Sequence, residues 1–386
     1  MHAHLSFRWL IAAFSIVALA ASAVTASAAE PIRLGAFLAV TGKGAFLGDP
    51  EKKTLETYVE KVNGEGGVLG RKVELIVYDT GSEAKEALTF VKRLIEQDKV
   101  DAIIGGTSTG ETMAVIREVE AAAVPFISLA GGAEIVEPVK KWVFKTPHTD
   151  RLAVEKLFTD MKARGLTKIG ILSGPGGFDK SCRTNAMALA PAKGLTIVAD
   201  ETHGAGDTDM TPQLTRIKGA PGLQAFLYCG FGAPTSIVAK NVRQIGLGVP
   251  HYQTHGSASM SFIQGAEGAA EGVRLPAAAL LVVDQLPADH PQKAVATAYR
   301  DAYTERYKEP ISTFGGHAYD GLFIVLEAIK RAGGTDKAKV RDEIEKTNRF
   351  IGADGIFTMS PTDHLGLDTA SFVMVEVKDG TWLLLN

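Results

Sequence analysis

Between Val100 and Gly132 the chain places two apolar runs, each ended by small or hydroxyl-bearing residues. Asp101-Ala102-Ile103-Ile104 leads into Gly105-Gly106-Thr107-Ser108-Thr109-Gly110, and Glu111 to Ala122 follows with helical spacing. Val124 to Leu129 then leads into Ala130-Gly131-Gly132. In an open α/β sheet, ligands sit outside the carboxyl ends of the strands. A helix N-terminus there adds unpaired N–H donors and the positive end of a dipole, which favour an anion. The chemistry this spacing offers is the capture of a small carboxylate.

The same residues offer a rival chemistry. Gly106-Thr107-Ser108-Thr109-Gly110 matches G-x-S-x-G on a strand-to-helix turn, the setting of a hydrolase nucleophile. Ser108 would then be the nucleophile of a secreted serine hydrolase, with His148, His203, His255 or His317 downstream as base. Only about three strand-like segments precede the turn, and no HGGG-type oxyanion loop is present. A serine at the head of a helix also serves as an N-cap. Binding without catalysis is the reading adopted, and the hydrolase stands as its rival.

Three further motifs fall short. His251 and His255 have H-x-x-x-H spacing, but their segment reads as a strand end without a third ligand, so no metal is expected. Gly174-Pro175-Gly176-Gly177 follows a strand like a dinucleotide turn, yet Asp179 stands where the third glycine belongs. Gly42-Lys43-Gly44 lacks the G-K-[ST] of a phosphate loop. No cofactor is expected.

The elements that must position these residues are legible along the chain. Arg8, the apolar stretch Trp9 to Ala21 and Ala26-Ser27-Ala28 form a secretory signal over residues 1–29, with cleavage near Ala28 or Ala29. No cysteine lies near that site, so a lipid anchor is not expected, and the apolar stretch is short for a membrane span. About 357 residues remain, a length that points to two domains. With 41 basic and 44 acidic residues the chain has no nucleic-acid footprint. The two cysteines, Cys182 and Cys229, exclude a disulfide scaffold. An oxidising compartment permits a bond between them, but two buried thiols are the preferred reading.

Strand-like and helical segments alternate from residue 32 to about 330. Ile32-Leu38 and Val73-Asp79 read as strands, and Glu51-Val62 and Glu83-Gln97 as helices. A second block repeats the alternation from helix Arg151-Ala163 to helix Pro234-Ile245, through strands Lys168-Leu172, Leu195-Asp200 and Leu223-Cys229. Such series build parallel sheets covered on both faces. Helical patterns over His290-Tyr307, His317-Ala332 and Lys337-Lys346 follow, with strand-like runs at Ile356-Met359, Ser371-Val377 and Trp382-Leu385. Late helices and strands after two α/β blocks predict that the chain crosses between domains more than once.

At this point the residues resemble a known family. The features are Ile32-Leu38 with Thr41-Gly42 and Gly48-Asp49, the turn Asn63-Gly64-Glu65-Gly66-Gly67-Val68-Leu69-Gly70-Arg71, and Leu75-Asp79. Ile104 to Thr109, Pro125 to Ser128, Phe144 to Pro147 with Asp150, Tyr319-Asp320-Gly321 and Leu326-Glu327-Ala328 complete them. In that order and spacing the chain resembles the periplasmic leucine/isoleucine/valine-binding proteins, the solute receptors of branched-chain amino-acid ABC importers. The resemblance implies an α/β fold of two doubly wound parallel-sheet lobes joined by a three-crossover hinge, the type I periplasmic binding protein fold. Residues 30–148 plus 279–352 would form lobe 1, and 149–278 plus 353–386 lobe 2. It also implies a monomeric periplasmic receptor that closes on its ligand and hands it to ABC permease subunits. A sensor that docks a regulator instead of a permease is a third reading of the same fold.

The family pocket can be carried over by position. Thr109, beside Ser108, falls on the hydroxyl that receives the ligand carboxylate, and Ala130 and Gly132, flanking Gly131, on its backbone partners. Phe178 and Phe231 fall on aromatics of the second lobe, and Phe46 precedes the cleft position Leu47. His255 falls on the acidic residue that pairs with the ligand ammonium. Here the sequence departs from the family: two tyrosines are Phe178 and Phe231, a small hydroxyl residue is Gly132, and the carboxylate is His255. An ammonium buried without a counter-charge is strongly disfavoured. The expected ligand is therefore an aromatic or oxo acid, with the branched-chain amino acids as the alternative.

Overall fold

The computed structural model describes residues 30–385, so the signal expected at 1–29 lies outside the described residues. Ile32–Leu38 (β1), Val73–Asp79 (β2), Ala102–Gly105 (β3), Phe126–Ser128 (β4) and Val143–Lys145 (β5) form one parallel sheet in the order β2-β1-β3-β4-β5. Its strands β3, β4 and β5 are buried throughout, because helices cover both faces. Those helices are Ala45–Gly64 (α1), Ala84–Glu96 (α2) and Thr109–Ala122 (α3) from the crossovers. Phe126 and Phe144, both fully buried, each contribute roughly 1.5–3 kcal/mol of apolar burial to this lobe.

The chain then crosses to a second lobe. Asp150–Ala163 (α4) leads to Lys168–Ser173 (β6), Gly177–Lys193 (α5), Thr196–Thr202 (β7) and Thr211–Lys218 (α6). Ala225–Cys229 (β8), Ala233–Gln244 (α7), His251–Gln253 (β9), Met260–Ala266 (α8) and Arg274–Ala278 (β10) follow. A second crossing returns it to the first lobe as Lys293–Tyr307 (α9), Thr313–Ala332 (α10) and Lys337–Glu345 (α11). There Gly321 of α10 lets the helix settle on Ile104 and Ile127; a Cβ at that position would lie 3.4 and 3.3 Å from their methyls. The small pair Phe350–Ile351 (β11) and Ile356–Phe357 (β12) precedes the third crossing to Phe372–Lys378 (β13) and Thr381–Leu385 (β14).

The second sheet runs β7-β6-β8-β9-β10-β13-β14. Its first five strands are parallel and repeat the order of the first sheet, whereas β13 and β14 run antiparallel at the end. The two-lobe α/β expectation is borne out. In both sheets the winding reverses beside the first strand of the lobe, between β1 and β3 and between β6 and β8. Those are the positions where doubly wound sheets open a ligand crevice.

Three local expectations change. Helix α1 starts at Ala45, six residues before Glu51, because Gly48 has no Cβ and packs directly on the Ala39 backbone. Phe46 and Leu47 consequently sit in the first turn of a helix. Strand β10 was not read from the sequence, since Arg274-Leu275-Pro276-Ala277-Ala278 has little β-branched character. Cys182 and Cys229 are joined in a disulfide, not left as two thiols: α5 packs on β8 with the two Cα atoms 5.7 Å apart, within bonding range.

Candidate functional site

A small cavity lies between the lobes and is lined by residues of both. Nearly every residue around it follows the carboxyl end of a strand. Leu47 comes after β1, Thr107, Ser108 and Thr109 after β3, Leu129 and Gly131 after β4, and Pro147 after β5. The second lobe supplies Phe178 after β6, Phe231 after β8, and His255 and Gly256 after β9. Phe314 and His317 come from α10.

The polar corner is built around the start of α3. Ser108 is its N-cap: the hydroxyl accepts the Glu111 N–H at 3.3 Å, and the Glu111 carboxylate accepts the Ser108 N–H at 2.9 Å. No histidine is hydrogen-bonded to Ser108 among the described residues. The N–H groups of Thr109 and Gly110, in the first turn, have no intrahelical acceptor. Thr109 is buried, and its Oγ1 accepts the Gly132 N–H at 3.1 Å. The hydroxyl proton is thereby left for an outside acceptor, as a ligand carboxylate would be. Thr107 braces the turn by accepting the Ala39 N–H at 3.0 Å and donating to Glu51 at 2.5 Å. Burial pushes Glu51 well above the usual carboxylate range, against that hydrogen bond.

Two expected contributors lie behind the wall. The Ala130 N–H is taken by Ser128 Oγ at 3.2 Å and the Gly132 N–H by Thr109, and neither residue lines the cavity. Gly131, between them, does. A Cβ on Gly131 would come within 2.8 Å of the Phe178 ring and 3.1 Å of His255 Nε2. A Cβ on Gly132 would come within 2.5 Å of Thr109 Cγ2. The glycine pair is what lets Thr109, Phe178 and His255 converge from two lobes.

Aromatic rings form the remaining walls. Phe178 stands edge-on to Phe231 with centroids 5.9 Å apart, and 5.4 Å from the His255 ring. Phe46 does not line this cavity. It faces the neighbouring groove and backs Phe314 at 5.7 Å and Phe231 at 6.5 Å. First-turn geometry of α1 directs Leu47 inward and Phe46 to the rim.

None of the cavity-lining residues is Asp, Glu, Lys or Arg among the described residues. His255 is buried, and its Nδ1 has no hydrogen-bond partner. Burial first, then His148, Lys145 and His317, push its pKa well below the ordinary histidine value, so the ring is neutral. His317 is pushed down to about 3 by burial and by Lys145. Its Nδ1 lies 2.7 Å from Asp354 Oδ2. Behind them, at the end of β5 and the start of α4, burial lowers the pKa of Lys145 and raises that of Asp150. His251 is turned away and packs on Phe226, with ring centroids 5.0 Å apart.

Sequence reasoning missed Thr107, Leu129, Pro147, Gly256, Phe314 and His317. The helical pattern read from the sequence begins at His317; the residue sits inside α10, whose N-cap is Ser312. A signal was present: His317 and Asp320 are polar residues one turn apart in the apolar stretch from Phe314 to Leu326.

Residues 31–381 match the family model described as periplasmic binding protein. The chain is 24% identical to the leucine-, isoleucine-, valine-, threonine- and alanine-binding protein of Pseudomonas aeruginosa, over 92% of this chain and 90% of that one. An extracellular ligand-binding receptor from Rhodopseudomonas palustris HaA2 superposes with a TM-score of 0.86 at 27% identity, covering 92% of this chain and 99% of that one. The branched-chain amino acid transporter substrate binding protein of Streptococcus pneumoniae, solved with isoleucine, gives 0.80 at 25% identity, covering 92% and 99%.

Proposed function

We infer the function from one premise: the chain belongs to the periplasmic binding proteins, in the Leu/Ile/Val-binding family. It is a ligand-binding receptor of the branched-chain amino-acid ABC-transporter type, not an enzyme. We propose that its ligand is a small aromatic or oxo carboxylate. The carboxylate would be held by the Thr109 hydroxyl and the first-turn N–H groups of α3, and the rest by Phe178, Phe231 and His255. The observation that carries this reading is a cavity with the free N–H groups of a helix start and no side-chain carboxylate. An α-ammonium placed there would be buried without a counter-charge, and breaking such a pair costs roughly 3–5 kcal/mol. Both lobes supply contacts, so ligand favours the closed arrangement and the lobes would hinge shut on it.

The branched-chain amino acids are the second reading, favoured by the relatives named for them. A thermal-shift screen with amino acids, aromatic acids and oxo acids separates the two. A ligand at a hundred times its dissociation constant raises stability by about 2.7 kcal/mol. Stabilisation by leucine alone would refute the acid reading. The protein would act in the periplasm, delivering ligand to permease subunits, with a mature chain starting near Ala29. Mass spectrometry of the exported protein tests that start.

A further inference from the structure

Phe46, in the first turn of α1, stands on the partition between the cavity and the neighbouring groove. It lines the groove but not the cavity. Its ring meets Phe314 edge-on with centroids 5.7 Å apart and tilts against Phe231 at 6.5 Å. Both of those rings line the cavity. Phe314 lies in the first turn of α10, in the same lobe as Phe46, whereas Phe231 follows β8 in the other. One half-buried side chain thus backs the cavity wall across both lobes.

Two glycines keep this partition thin on the side of the second lobe. A Cβ on Gly232 would come within 3.3 Å of Phe46 Cε1. A Cβ on Gly256 would come within 3.0 Å of Phe231 Cβ and 3.3 Å of Phe178 Cε1. Gly256 lines both the cavity and the groove, so at that point the two spaces share a wall that carries no side chain. Beyond the partition the groove is polar, with Lys43, Ser257, Ser259 and Ser261 among its lining residues.

The contacts also give the cavity a direction. The Gly132 N–H donates to Thr109, and Gly131 faces the Phe178 ring. Phe178 stands on Phe231, and Phe231 on Phe46. A ligand with its carboxylate on Thr109 and its side chain against Phe178 and Phe231 runs in the direction of Phe46. Close-packed walls give little when overfilled, so a pocket closed at that end selects by length. One methylene changes affinity for an apolar pocket by roughly 10–200-fold.

We propose that Phe46 is a specificity-determining residue: it closes the phenylalanine end of the cavity against the groove and so sets the longest ligand the receptor accepts. Phe46 and Phe231 belong to different lobes, so the stop is assembled as the lobes meet. This rests on the carboxylate anchor at Thr109 proposed above and holds whichever group the second carbon of the ligand bears.

Calorimetry on the full mature protein tests it with two ladders of rising length: phenylacetate, 3-phenylpropanoate and 5-phenylpentanoate, and leucine, phenylalanine and homophenylalanine. Wild type should bind the longest member of its preferred ladder about tenfold or more weakly than the best shorter one. Phe46→Ala should shrink that ratio to about threefold or less. Phe46→Leu, which keeps an apolar side chain behind the wall, should give an intermediate ratio, and Phe46→Trp should widen it. Circular dichroism confirms folding of each variant, and the wild-type ladder needs no variant. A ratio that Phe46→Ala leaves unchanged, with affinity lost equally along the ladder, makes Phe46 structural only and overturns the proposal. Wild type that binds 5-phenylpentanoate as tightly as the shorter acids also overturns it and leaves the carboxylate reading standing. Binding confined to the amino-acid ladder overturns the acid reading but not the length rule, which that ladder then decides. Failure of every member to bind wild type overturns both.

Discussion

The backbone N–H of Gly132 donates to Oγ1 of Thr109 across 3.1 Å, tying the turn after β4 to the first residue of α3. The bond fills one lone pair of the hydroxyl and fixes where its proton points. Thr109→Ala removes that donor, and carboxylate affinity should fall by roughly 1.5–3 kcal/mol, the worth of a hydrogen bond to a charged group. Calorimetry with whichever acid binds wild type reads it. An unchanged affinity in a folded variant places the anchor elsewhere.

His255→Glu should invert ligand class. A carboxylate at that position repels an acid ligand and supplies the missing partner for an ammonium. Affinity for the acid should drop at least tenfold, or about 1.4 kcal/mol, while leucine binding improves. Parallel titrations with both ligands decide it; a drop for both would mean that the variant merely damages the fold.

Histidine 251 allows an electrostatic test remote from the cavity. Burial lowers its pKa from 6.5 to about 3, so the folded ring stays neutral where the unfolded one gains a proton. Below pH 6.5 the unfolded state binds more protons, and stability therefore falls as pH falls, until about pH 3. Relative to His251→Gln, wild type should lose about 2 kcal/mol between pH 7 and pH 5. Urea titrations at several pH values measure the difference; parallel stability curves would show that His251 is protonated in the folded protein.

The disulfide closes a separation of 47 residues. Replacing Cys182 and Cys229 together by alanine should cost roughly 4 kcal/mol on the loop-entropy account. The loss should register in denaturant midpoints, and an unaltered midpoint would show that the bond does not form in solution.

Much of the site was legible because it obeys strand ends. Thr109, Phe178, Phe231 and His255 each follow an apolar run that reads as a strand, so a crevice rule applied to sequence reaches them. Phe314 and His317 escaped for the opposite reason. They lie within a long helix that returns from more than a hundred residues downstream of β5, and only the third dimension brings α10 over the cavity. Ala130 and Gly132 were reached by position but not by role, because pattern does not disclose that a neighbouring hydroxyl already takes each N–H. The cysteines illustrate the same boundary. Two residues 47 apart carry no sign of pairing until α5 is laid on β8.

That cross-link also has a mechanical meaning. Cys182 stands one turn beyond Phe178, and Cys229 two residues before Phe231. Both ends belong to the same lobe, so the bond never spans the cleft. It splints the two phenylalanines into a single plate and leaves the three peptide crossovers as the only covalent links from lobe to lobe among the described residues. The molecule is thereby stiff where it must hold a shape and untethered where it must swing, and oxidation could harden the wall without locking the door.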